Sequence, residues 1–335
     1  MSKEIIVFGE VLLRLSPPNH SKTFKSKLFE VHYGGAEANV GASLSLMGLD
    51  VNLVSSFPEN DLGASAKSEM LSYGMKTTIV EQGERIGTYY YEHGASDRPG
   101  KVLYDRNHSS FSLLKKGMID WKTIFKNANW FHFSGITPAL SQDLAEVCEE
   151  ALIIASEMGL TISADLNYRP SLWKYGKKAN EVMPSLIKYC NILLGGADDS
   201  ENCLNIKTAP EEPFESVYTK WQEHYPNLKT IVSTLRFKAN ASSNSIAAVL
   251  WSKNKLYRSN QFNVTHIIDR IGAGDAFMAG LIYGLTTWPD EPQKTVEYAI
   301  AASCLKHSIA GDINLSTIND ISALMDGATG GRVIR

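Results

Sequence analysis

Residues 268–285 read IDRIGAGDAFMAGLIYGL. Two glycines flank an alanine, an aspartate follows, and an apolar run begins at once. Gly272 and Gly274 let the backbone approach a ligand closely. The apolar run has the character of a buried helix, so its unpaired N–H groups and positive dipole end open into the glycine turn. Such a turn suits an anion. Asp275, in the first helical turn, is either a helix-favouring carboxylate or a base. A capping aspartate needs no Gly-Ala-Gly before it. An anion site with an adjacent base is the constellation that moves phosphate to an alcohol. A carboxylate at a helix N-terminus is expected to be a weak base.

Upstream, short apolar runs alternate with helical periodicities. The opening 4–15 (EIIVFGEVLLRL) reads as a buried strand continuing into a more alternating one; strands are also expected in 51–57, 128–135, 160–166, 190–196 and 229–235, and helices in 36–48, 63–74, 141–159 and 212–224. That alternation implies a mostly parallel sheet covered on both faces, with ligands bound beyond the carboxyl ends of its strands. Residues 86–112 break the pattern with two strand-like halves around a Gly/Pro/Asp-rich turn. Paired with part of 11–33, they would form a small standing-off sheet, either a water-excluding lid or an edge hairpin without a role. Tyr89, Tyr91 and Val102 are its expected exposed apolar positions. The end of the chain, 326–335, reads as a flexible tail.

The 335 residues are 44% hydrophobic and 21% charged, with net charge −3. This balance offers no basic face to nucleic acid or anionic lipid. No run approaches the ~20 apolar residues of a membrane span, and the N-terminus lacks a signal-peptide core. Four scattered cysteines without a CxxC favour reduced thiols and a cytoplasmic protein. The 94–102 stretch, GASDRPGKV, fails as a P-loop: five residues separate its glycines and Val102 follows the lysine. No HExxH-type spacing marks a zinc site, and no GxGxxG follows the first strand, which argues against a dinucleotide oxidoreductase.

YGGAEANVG (33–41) is a second glycine pair opening a helix. If it faces Asp275, its amides and Asn39 would hold substrate hydroxyls. Tyr90, Tyr104, Arg106 and Arg169 form a third cluster, and the two guanidinium groups suit a carboxylate or phosphate by geometry.

Assembled, these segments resemble the PfkB (ribokinase-like) family of sugar kinases over nearly the whole chain. DRIGAGDAF is similar to its C-terminal signature and GGAEANVG to its N-terminal glycine motif. Within that family GGAEANV, EHG…RP.KVLYDR, DLNYRPSLW and LKHSIAGDINL most resemble 2-keto-3-deoxygluconate kinases. The resemblance implies one doubly wound α/β domain over 1–335 with helices on both faces, a β lid from about 11–33 and 86–112, and a homo-oligomer formed through that lid. It implies ATP with Mg²⁺, a monovalent cation such as K⁺, and phosphorylation of the terminal hydroxyl of a 2-keto-3-deoxy sugar acid. Asp275 would be the base, and Gly272, Ala273 and Gly274 the anion hole. Gly35, Asn39, Tyr90, Tyr104, Arg106, Arg169 and Asp312 would hold the acid. Thr234 and Arg236, with Gly272 and Gly274, would contact the nucleotide, and Asp199 and Asp269 would organise metal.

Two departures bear on that set. The family's NxxE falls on Gly196 and Asp199, and STLRFKANASSNS (233–245) lacks the glycine turn usual after the nucleotide strand. The rivals are a kinase of a neutral ketose such as fructose and a non-catalytic sugar-acid-binding protein.

Overall fold

The fold is that of a computed structural model, which describes residues 4–209, 211–238 and 240–327. The expected tail falls mainly on 328–335, outside them. The opening apolar run is two strands in two sheets. β1 (Glu4–Phe8) lies in a large sheet, and after Gly9–Val11 the chain enters β2 (Leu12–Ser16) of a small one. In β1 the side chains alternate: Ile6 and Phe8 join one core while Ile5 and Val7 join another. A strand buried on both faces has no polar alternation.

β3 (Glu30–Gly34) runs antiparallel to β2 and delivers the chain to α1 (Ala36–Leu46). β4 (Val51–Phe57), α2 (Asp61–Ser72) and β5 (Lys76–Glu81) extend the large sheet to one side of β1. Asn60 fixes the start of α2 by accepting from the Leu62 and Gly63 amides at 3.1 Å each, as a capping side chain does. β6 (Thr88–Glu92) pairs parallel with β2, and β7 (Lys101–Asp105) runs antiparallel to β6. The small sheet expected from 11–33 and 86–112 therefore has the order β3-β2-β6-β7.

After α3 (Trp121–Phe125), β8 (Ala128–Ser134) pairs with the other side of β1. α4 (Ile136–Leu140), α5 (Gln142–Glu157), β9 (Thr161–Asp165), α6 (Ala179–Ile187) and β10 (Ile192–Leu194) follow. α5 buries Leu144, Val147, Cys148, Ala151, Leu152 and Ala155, the spacing of one helical face. Each such leucine contributes roughly 1.5–3 kcal/mol through burial. Beyond α7 (Asp199–Leu204) and α8 (Phe214–His224), β11 (Thr230–Lys238) completes the parallel part. β12 (Ser243–Ser252), β13 (Lys255–Arg258) and β14 (Phe262–Thr265) add an antiparallel edge that the sequence reading had not identified. α9 (Ala273–Thr287), α10 (Pro292–Lys306) and α11 (Ile318–Met325) close the chain.

Helices cover both faces, α3, α5, α6 and α8 on one side and α1, α2, α9 and α10 on the other. The sheet is doubly wound. From β1 the chain builds one way through β4 and β5, then the other through β8 to β11. That reversal opens a crevice beyond the carboxyl ends of the strands.

Candidate active site

A cleft of about 540 Å³ occupies this crevice. Most of its walls come from the ends of elements. Glu10 follows β1, Asp165 ends β9 with Asn167 and Arg169 just beyond, and Gly195 and Gly196 follow β10. The N-termini of α1 and α9, which pack against each other, face one another across it. Tyr89 and Tyr104 reach over from the small sheet.

Gly272 is the N-cap of α9 with φ of 82°, the left-handed region that favours glycine. A Cβ there would stand 1.7 Å from the Asp312 carbonyl oxygen. Gly35 caps α1 in extended backbone, where a Cβ would stand 1.9 Å from the Glu10 carbonyl oxygen. In α9 the Ala276 amide bonds the Gly272 carbonyl at 2.8 Å; the Gly274 and Asp275 amides before it lie at the open turn.

Asp275 Oδ2 accepts from Asn39 Nδ2 at 2.7 Å, and Asn39 Oδ1 accepts from the Gly35 amide at 3.2 Å. Asn39 thus ties the carboxylate of α9 to the start of α1. Burial pushes Asp275 up to about 7, against the lowering from the Asn39 bond and the Arg169 charge. This reverses the expected weak base: removal from water outweighs the helix end. Asp165 is likewise pushed up to about 7, by burial and then by the Asp275 charge. The Asp275 charge thus acts on Asp165 across the cleft.

The two expected guanidinium groups differ in kind. Arg106 is ion-paired to Glu10, its Nε 2.8 Å from Oε2, and Ser109 Oγ donates to Glu10 Oε1 at 2.5 Å. Arg169 joins no ion pair among the described residues; its Nε donates to Asn167 Oδ1 at 3.1 Å and its Nη1 to the Tyr104 hydroxyl at 2.5 Å. Arg169 is therefore a cation available to an anionic ligand.

The cleft brings together Gly35, Asn39, Tyr104, Arg106, Arg169, Asp199, Thr234, Gly272, Gly274, Asp275 and Asp312. Ala273 is buried just behind it. Tyr90 is turned to the other face of β6, where its ring meets Phe29 at 6.0 Å, and Tyr89 takes the cleft position. Tyr89 and Tyr91, expected to be exposed, are buried instead; Val102 is exposed as expected. Asp312 lines the cleft with its carboxylate bonded by Arg14 Nη1 at 3.0 Å and by the Tyr89 hydroxyl. Asp269 does not line it. Its buried carboxylate accepts from Arg14 at 2.5 Å, Ile271 N at 3.0 Å and Gly311 N at 3.2 Å. Arg236 lies two residues beyond Thr234 on β11, outside the lining. Asp199 Oδ2 accepts from the Gly196 amide at 2.7 Å, and burial raises its pKa.

Glu10, Asp165 and Arg270 line the cleft without having been singled out. Asp165 carried a signal, an aspartate next to last in the apolar run LTISADL. Arg270 donates to the Ala241 carbonyl at 2.7 Å and joins no ion pair among the described residues.

The sequence profile of the pfkB family carbohydrate kinases matches residues 2–318. The chain belongs to this family. As a pfkB carbohydrate kinase it is similar to a Haloferax volcanii 2-dehydro-3-deoxygalactonokinase, 29% identical over 99% of both chains. It is 26% identical to a Thermoproteus tenax 2-dehydro-3-deoxygluconokinase, over 92% of this kinase and 89% of that one. The crystal structure of a Thermotoga maritima 2-dehydro-3-deoxygluconokinase superimposes with a TM-score of 0.92 at 42% identity, covering 98% of this kinase and 99% of that chain. Among the described residues no helix is long and apolar enough to cross a membrane.

Proposed function

We propose that this kinase transfers the γ-phosphoryl group of ATP to the terminal hydroxyl of a 2-keto-3-deoxy sugar acid, 2-keto-3-deoxygluconate first among them. The observation that carries the reading is Arg169, a cation without a carboxylate partner among the described residues, in the same cleft as a buried aspartate whose pKa lies near 7. A guanidinium in that state suits a substrate carboxylate, held by two parallel bonds. The likeness to the Thermotoga protein supports gluconate over galactonate stereochemistry.

In this reading Asp275 accepts the hydroxyl proton. A pKa near the working pH is what general-base catalysis asks for. The hydroxyl lies between Asp275 and the amides of 272–275, which receive the developing negative charge on the phosphoryl oxygens. Asn39 orients the carboxylate, Tyr104 orients Arg169, and Gly35 lets substrate approach the start of α1. The nucleotide lies along the ends of β10 and β11, beside Thr234. Asp199, with Asp165 nearby, offers the oxygen ligands that suit Mg²⁺, whereas Asp269 is already bonded by Arg14 and two amides and does not fit. Mg²⁺ held there would neutralise the phosphate charge.

The chain acts as one domain, and its small sheet is a lid that excludes water. The lid's outer positions Phe24, Leu28 and Leu103 are exposed, an apolar surface that suits pairing with a second copy. Specificity constants with ATP for gluconate-type acid, galactonate-type acid and fructose test the assignment. The acids are expected to lead fructose by at least ~10-fold, the value of one charge-assisted contact. A preference for fructose would overturn it.

A further inference from the structure

Behind the anion turn lies a charge that the steps above do not use. Lys306 ends α10 with 0% exposure. Lysine is almost never fully buried unless paired. Here Nζ donates to the Ile309 carbonyl at 2.9 Å and joins no ion pair among the described residues. An ammonium has three protons to donate. Burial lowers its pKa, while the charges of Asp269, Asp312 and Asp275 raise it.

Its position gives the charge a purpose. The segment after α10 is the back wall of the anion turn. The Ile268 and Asp269 amides bond the His307 carbonyl at 2.9 and 3.2 Å, and the Gly311 amide bonds Asp269 at 3.2 Å. A Cβ on Gly272 would lie 3.3 Å from Lys306 Cε. The lysine stem therefore borders the space that a side chain at Gly272 would take. A potassium ion does not fit this wall. The Ile309 carbonyl is occupied by the ammonium, the Asp269 carboxylate by Arg14, and an added cation would meet both positive charges.

We propose that Lys306 is a built-in cation of the anion turn, a positioning residue whose ammonium replaces a bound monovalent ion and makes phosphoryl transfer independent of potassium. It rests on the reading that the 272–275 amides receive the transferred phosphoryl group. From behind, the ammonium fixes the loop and adds positive potential where negative charge develops.

The test compares wild type, Lys306→Met and Lys306→Ala in potassium chloride and in tetramethylammonium chloride at equal ionic strength. Wild-type kcat and Tm are expected to be the same in both salts. Lys306→Met keeps the stem but loses the charge, so kcat should fall about 10- to 100-fold, the scale of losing one preorganised charge contact. The sugar-acid KM should change little, and Tm should hold or rise because a buried unpaired charge is gone. Lys306→Ala opens the wall, and potassium should raise both its kcat and its Tm.

Wild-type kcat in Lys306→Met, or a wild-type Tm raised by potassium alone, overturns the proposal. So does loss of kcat and Tm together in both variants without any salt response, the signature of a packing role. The Tm comparisons need no substrate, so they decide the cation question even if the sugar-acid assignment fails.

Discussion

Replacing Asp275 with asparagine keeps the shape of the side chain and removes both its charge and its basicity. Burial carries this carboxyl from 3.8 to about 7. At about 1.36 kcal/mol per pH unit, the ionised form costs the folded state on the order of 4 kcal/mol. The sign follows from the raised folded pKa. Stability contributed by the protonated group is complete below the unfolded value, is lost as pH rises toward 7, and is then flat. Asp275→Asn should therefore gain stability over wild type across pH 4 to 7, with that figure as a ceiling. The lost Asn39 contact reduces it. Turnover should move the other way, falling ~10²-fold or more, the scale of a lost general base. Wild-type kcat/KM should rise with pH through an apparent pKa near 7, because the base must be ionised, and that limb should vanish in the variant. Thermal melts and coupled ADP-release assays from pH 4 to 8 measure both. Near-wild-type turnover, or an acid limb below pH 5, would refute the reasoning.

Arg169→Leu should lower kcat/KM for the sugar acid by about 10- to 100-fold while leaving weak fructose turnover little changed, and Arg169→Lys should lose much of the same effect; equal losses on both substrates would assign Arg169 to the nucleotide phosphates instead. Arg106→Leu strands the buried Glu10 carboxylate, so it should cost about 3–5 kcal/mol of stability in denaturant melts. Gly272→Ala meets both a left-handed backbone and the Asp312 carbonyl, so it should abolish turnover even where circular dichroism shows a folded protein.

The doubly wound sheet was legible because its strands are short β-branched runs and its helices carry a 3.6 period; 51–57 needed no correction. The 4–15 run reads as a buried strand continuing into a more alternating one, as β1 and β2 are, and pairing partners show where the large sheet ends and the small one begins. β6 was recognised as a strand, yet its phase was not, since TYYYE is aromatic on both faces; hence Tyr89 and not Tyr90 at the cleft. Asp275 and its glycines were readable from local chemistry. Its basicity was not, because it depends on burial by segments distant in the chain. Arg106 and Arg169 looked alike in sequence and were separated only by Glu10, 96 residues away in the chain. Lys306 falls in LKHSIAGDINL, but nothing in that stretch marks its burial, since one lysine at a helix end is ordinarily solvated.

The most direct measurement is the position of the phosphate in the product. Purified enzyme, MgATP and 2-keto-3-deoxygluconate are combined, and the product is read by phosphorus–carbon coupling in NMR. The account predicts one new phosphate ester, on the terminal carbon, formed in step with ADP. Phosphate at another carbon, or ATP consumed only when a neutral ketose replaces the acid, would contradict it.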